Sequence, residues 1–75
     1  MAETRYLVVY EQGPTGWSAY PPDLPGVGVA GSTREEVEEL IREAISFHIE
    51  GLQEDGDAVP PPTSASGYVA LGPAA

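Results

Sequence analysis

The sequence contains no cysteine, no lysine and a single histidine, His48. Disulfides and thiolate metal sites are thereby excluded, and one imidazole cannot build a zinc site alone. Three arginines face twelve acidic residues, for a net charge of −9. Such a chain repels phosphate backbones, whose binding rests on cationic side chains displacing counterions, so direct nucleic-acid binding is not expected. No apolar run approaches the length of a membrane span, and "MAETRYLVVYEQ" lacks the apolar stretch of a secretory leader. A cytoplasmic protein without a membrane partner is the expectation. The 75 residues leave room for one domain. A domain of this size buries only about 60% of the surface its unfolded chain exposes, so its core is marginal. With neither disulfide nor metal to staple it, association with another copy or another protein becomes the favoured stabiliser. The acidic balance welcomes a basic partner and speeds its approach. Plain solubility is an equally weighted reading of the same charge.

What is present sorts into strands, a corner and a helix. "RYLVVYE" (Arg5 to Glu11) is rich in β-branched and aromatic residues and predicts a strand, with Tyr6, Val8 and Tyr10 on one face and Leu7 and Val9 on the other. "QGPTG" is a short loop, and "WSAY" (Trp17 to Tyr20) returns as a second strand. Pro21 and Pro22 lack the N–H that a ladder needs, so this strand stops there. Pro25-Gly26 suits the centre of a type II turn, with φ preset by proline and positive φ supplied by glycine. "VGVAG" (Val27 to Gly31) reads as a third strand.

"STREEVEELIREAISFHIEGLQEDG" (Ser32 to Gly56) is the clearest element. Ser32 or Thr33 can cap it, Glu35 or Glu36 can complete a capping box, and Gly56 offers a left-handed stop. Val37, Leu40, Ile41, Ala44, Ile45, His48, Ile49 and Leu52 recur at helical spacing and form the expected buried stripe. Glu38 before Arg42 is the one well-oriented opposite pair at that spacing. "DAVPPPTSAS" is a stiff connector, and "GYVALG" (Gly67 to Gly72) reads as a fourth strand. The expected architecture is α+β, in the order β-β-β-α-β: one antiparallel-rich sheet with a single long helix on one face. One helix covers one sheet face, while the first strand is apolar on both, so a partner surface is expected.

Four landmarks in order carry a resemblance to a known family. They are Gly16-Trp17 at the start of the second strand, "PDLPG" (Pro22 to Gly26), "GST" with Glu35 and Glu36 at the head of the helix, and "EDGDAVPPPTS" (Glu54 to Ser64) after it. From Tyr6 to about Val69 the chain resembles the HicB-like antitoxins of bacterial HicA–HicB toxin–antitoxin systems. The resemblance implies a partial ribonuclease-H-like fold, and a protein that binds and blocks a small basic HicA-like toxin that cleaves mRNA. It also implies assembly as a dimer or tetramer. Separately, no cofactor is expected. Many members carry a C-terminal DNA-binding segment; this chain ends about where one would begin. The expectation is therefore a single HicB-like domain over residues 1–75, without that segment.

Individual residues divide along the same lines. His48 sits on or beside the apolar stripe with no evident nucleophile, so a half-buried structural role outweighs catalysis. Glu11 and Asp23 do not make the converging carboxylate cluster that metal-dependent phosphoryl chemistry needs, and fold analogy alone supplies no activity. No catalytic, cofactor or metal residue is assigned, and the chain is read as a binding protein, not an enzyme. The candidates for partner binding are Trp17, Asp23, Glu35, Glu39 and Glu43. For Trp17, core and interface weigh equally; for Asp23 a turn role is favoured; for the glutamates a solvated helix face is the competing reading. The candidates for self-association are Tyr6, Val8 and Tyr10. The functional expectation is occlusion of a toxin, and the alternative is a freestanding homo-oligomeric structural or regulatory protein.

Overall fold

The computed structural model describes residues 4–73. Strand β1 (Val9–Gly13), strand β2 (Gly16–Tyr20), strand β3 (Val29–Gly31) and helix α1 (Arg34–Glu54) follow one another in the chain. The three strands form one sheet in the order β1-β2-β3, with both pairings antiparallel. The α+β class and the β-β-β-α order are as the sequence predicts.

The strands are shorter than their apolar patterns. β1 begins at Val9, not Arg5, because its ladder partner runs out: Val9 pairs with Tyr20, and the next residue of β2 is Pro21, which has no N–H to give. β3 begins at Val29, not Val27, because the Val27 N–H is engaged by the Leu24 carbonyl at 3.4 Å. That bond closes the turn expected at Pro25-Gly26, with Gly26 at φ +87°, as a type II turn demands at its third position. A bond from Leu24 N–H to the Pro21 carbonyl, 3.1 Å, makes a second turn just before it. The concentration of prolines and glycines thus builds two successive turns that carry the chain from β2 to β3. Between β1 and β2 the turn needs only Pro14 and Thr15.

The predicted fourth strand does not form. Residues 57–73 adopt no strand, and Tyr68, Val69 and Leu71 are 105%, 85% and 87% exposed. Strand propensity is a fit to a pleated, half-buried surface, and here the chain offers this segment no surface to fit.

The helix is bounded as a reading of its ends predicts. Thr33 is the N-cap; its Oγ1 accepts from the Glu36 N–H at 3.1 Å, and Glu36 Oε1 accepts in return from the Ser32 N–H at 2.6 Å. This is a capping box displaced by one residue on its return arm. At the far end the Asp57 N–H reaches the Leu52 carbonyl at 2.9 Å and the Gly56 N–H reaches Gln53 at 3.1 Å. With Gly56 at φ +74°, these are the paired bonds of a Schellman motif.

The helix lies on the sheet face that carries Ala19. Ala19, Val37 and Ile41 form the buried cluster, with Val8, Tyr10, Trp17, Val27, Val29 and Ile45 packed around it. Leu24, fully buried, anchors the corner. Leu40, expected in the stripe, is turned outward at 37% exposure. Gly16 lets the sheet close against itself, since a Cβ there would collide with the Gly31 backbone carbonyl. Alternation sends Val9, Ser18, Tyr20 and Ala30 to the opposite face, which no helix covers; Tyr20 and Ala30 are exposed there. Among the described residues no helix is long and apolar enough to cross a membrane.

Candidate functional site

Helical spacing puts Glu35, Glu39 and Glu43 on one flank of α1, four residues apart, and all three are exposed. Little offsets them. Arg42 approaches Glu39 at 3.8 Å with both side chains well exposed, a geometry worth little in water. Arg34 pairs with Glu38 at 3.5 Å. The expected Glu38–Arg42 pair does not form; Arg42 turns back to Glu39 and leaves Glu38 to Arg34, so each arginine meets a different carboxylate. The flank keeps a strong negative field.

Beside it stands an aromatic–cation cluster. The Arg34 guanidinium sits 4.7 Å from the centre of the Tyr10 ring and 6.0 Å from that of Trp17, within range of attraction to both ring faces. Trp17 is half-buried against the core. It serves the core and still borders the surface where the helix begins. Trp17 and the glutamates of the first helical turn therefore share one end of the molecule.

Asp23, Tyr6 and their partners make a different arrangement. One Asp23 carboxylate oxygen accepts from the Thr63 and Ser64 N–H groups at 3.0 and 2.9 Å, and the other from their hydroxyls at 3.1 and 2.8 Å. The N–H and hydroxyl of Ser64, followed by those of Thr63, hold the carboxyl below the ordinary aspartate value of 3.8, against an opposing push from partial desolvation. The Tyr6 hydroxyl donates to the Pro60 carbonyl at 2.6 Å. Asp23, a partner-binding candidate with a turn role favoured, and Tyr6, a self-association candidate, thus both hold the segment after the helix. Val8 and Tyr10, read with Tyr6 as a self-association face, pack against the chain's own core. The outward face of β1 belongs instead to Val9 and its alternates.

One further feature lies outside the candidate binding residues singled out by sequence. An open groove of about 400 Å³ runs between the Gly26–Gly28 corner and the second half of α1, lined by Gly26, Val27, Phe47, His48, Leu52 and Asp55 among others. Phe47 is 79% exposed and lies off the apolar stripe, the one mark of the groove in the residue pattern. His48 is half-buried on the groove wall. Among the described residues no three His, Asp or Glu side chains converge to hold a metal ion.

What fold and surface define together is a small acidic α+β domain with a row of exposed carboxylates along its helix. The family model for the HicB-like antitoxins of bacterial toxin–antitoxin systems matches residues 6–71. The chain is 33% identical over 60 residues to Antitoxin HicB 2 of Photorhabdus laumondii, an alignment covering 80% of this chain and 43% of that protein. It is 38% identical over 64 residues to an uncharacterized 14.9 kDa protein of Haemophilus phage HP1, encoded in the rep-hol intergenic region, covering 85% and 48% respectively. The chain belongs to the HicB-like antitoxin family, and it spans less than half the length of these curated relatives.

Proposed function

We propose that this chain acts as the toxin-facing domain of an antitoxin. It binds a small basic HicA-like ribonuclease in the cytoplasm and covers its RNA-binding surface, without performing chemistry. The observation that carries this reading is the exposed flank of Glu35, Glu39 and Glu43, set in a chain of net charge −9 that belongs to an antitoxin family. A ribonuclease must present cationic groups to its substrate, and a row of fixed carboxylates competes for those same groups. Trp17, beside the first helical turn, supplies an aromatic anchor of the kind that concentrates binding energy.

The test is association with a small basic HicA-like ribonuclease, sought first in the reading frame adjacent to the one that encodes this chain. A complex should form at low salt, with its association rate falling as ionic strength rises. Changing Glu35, Glu39 and Glu43 together to glutamine should slow association and flatten that salt dependence. Binding with an unaltered rate and salt slope in the triple variant would remove the flank from the interface. Failure to form any complex at low salt would favour the second reading, a freestanding homo-oligomer, for which the uncovered sheet face with Tyr20 at 42% exposure speaks.

A further inference from the structure

Two strand-forming stretches of this chain lack a strand partner. The first is Tyr6 to Val8, which continues the line of β1 beyond the point where Pro21 ends the ladder; these residues join no strand pairing. The second is Gly67 to Leu71, whose Tyr68, Val69 and Leu71 side chains stand almost wholly in solvent. They do not pair with each other. The tether bears on this: Tyr6 fixes Pro60, Asp23 fixes Thr63 and Ser64, and beyond it the side chains of Tyr68, Val69 and Leu71 stand in solvent. The molecule measures 52 Å in its longest dimension against 27 and 23 Å, whereas a helix of this length accounts for about 32 Å.

We infer that residues 67–71 form an exchange arm that adds a strand to the β1 edge of a second copy of this chain, along Tyr6 to Tyr10. Charge supports this choice of occupant. Two copies at −9 repel, yet residues 58–75 contain no Asp, Glu, Lys or Arg, and neither does "YLVVY" (Tyr6 to Tyr10). The arm and the edge are thus places where two acidic copies can meet without opposing charges of the same sign. Free sheet edges are ordinarily protected by charged side chains, prolines or bulges; this one has an apolar run over its whole unpaired end. Length also fits: five extended residues span about 17 Å, the reach of the five-residue edge from Tyr6 to Tyr10. Main-chain bonds supply the affinity in such strand addition, and alternate side chains supply the fit. Because each copy has one arm and one β1 edge, exchange between two copies closes with two-fold symmetry and leaves neither of these unused. This inference is independent of toxin binding, which uses the helix flank.

The experiment is sedimentation of the intact chain at micromolar concentration, followed by crosslinking. The unmodified chain should run at about twice the monomer mass. Val69→Pro removes one arm N–H and should return it to monomer mass with its helical circular dichroism unchanged, since the arm touches nothing in its own body. The absence of native cysteine makes the second step clean. Mixing Leu7→Cys chains with Val69→Cys chains should yield crosslinked dimers under a short thiol-specific linker. Three results would overturn the inference: a monomeric unmodified chain, a dimer indifferent to Val69→Pro, or closure at monomer mass within one chain carrying both cysteines.

Discussion

The body of the molecule, from β1 to the end of α1, and the segment after Gly56 are built from similar material and behave differently. "RYLVVYE" and "GYVALG" are alike in β-branched and aromatic content, yet one contributes a strand and the other leaves Tyr68, Val69 and Leu71 in water. In the body, Val9 has Tyr20 across the ladder and Tyr10 has Ala19. Beyond Ser64 the described residues join no strand pairing. The lesson is that a strand is a relation between two stretches of backbone, and side-chain pattern specifies only one party to it.

The contrast can be broken most severely from the body side. Ile41→Ala removes most of a buried side chain beside Ala19 and Val37 and should cost about 3 kcal/mol. A domain of this length holds roughly 0.05–0.15 kcal/mol per residue in total, so chemical denaturation should show a large fall in midpoint. A comparable truncation in the arm, Leu71→Ala, should leave the midpoint of the monomeric Val69→Pro background where it was. Equal losses at the two positions would mean that the arm is packed in solution.

Gly16→Ala comes next. The added methyl meets the Gly31 backbone carbonyl, which cannot swing aside as a flexible side chain would, and overpacking of this kind costs about 2 kcal/mol. Gly13→Ala, where the nearest atom to an added methyl is 3.9 Å away, is the control within the same hairpin and should change the midpoint far less. Thr33→Ala is smaller again, about 1 kcal/mol, because it removes one acceptor from the Glu36 N–H; Thr33→Ser should restore most of it.

How much of this was legible beforehand depends on the distance over which each feature is determined. The helix ends, the turn at Pro25-Gly26 and the hairpin were readable because their causes lie within a few residues: Thr33 with Glu36, Gly56 with Leu52 and Gln53, Pro25 with Gly26. The true start of β1 was not, since Pro21 decides it from across the sheet. The missing fourth strand was not, for want of a partner that no local pattern announces. Of the candidate site, the acidic flank followed from helical periodicity alone. The role of Asp23 did not: its partners lie 40 and 41 residues away, and an aspartate in "PPDLPG" has a sufficient local explanation as a turn residue. Arg42 chose Glu39 over Glu38 because exposed pairs differ by too little for spacing to decide.

The smallest effect on global stability, and the sharpest on the contrast between the two regions, concerns that aspartate. Its four hydrogen bonds, together with the one from Tyr6 to Pro60, tie the C-terminal segment to the body. Because the donors favour the ionised carboxylate, its folded value is depressed below the ordinary 3.8. The clamp's stabilisation is then complete above that ordinary value and is lost as pH falls through the depressed one. The Thr63 and Ser64 amide resonances should therefore shift together on acidification, with a midpoint below 3.8, reporting the clamp itself. In Asp23→Asn, which cannot titrate and presents one acceptor oxygen instead of two, those amides should be flat over the same range and should exchange with solvent faster at neutral pH. The midpoint for denaturation of the body should barely move in that variant, because the bonds it loses hold only the tail. A midpoint at or above 3.8 in the unmodified chain would mean that the carboxylate does not face these donors in solution, and the exchange arm would lose the anchor that sets its direction.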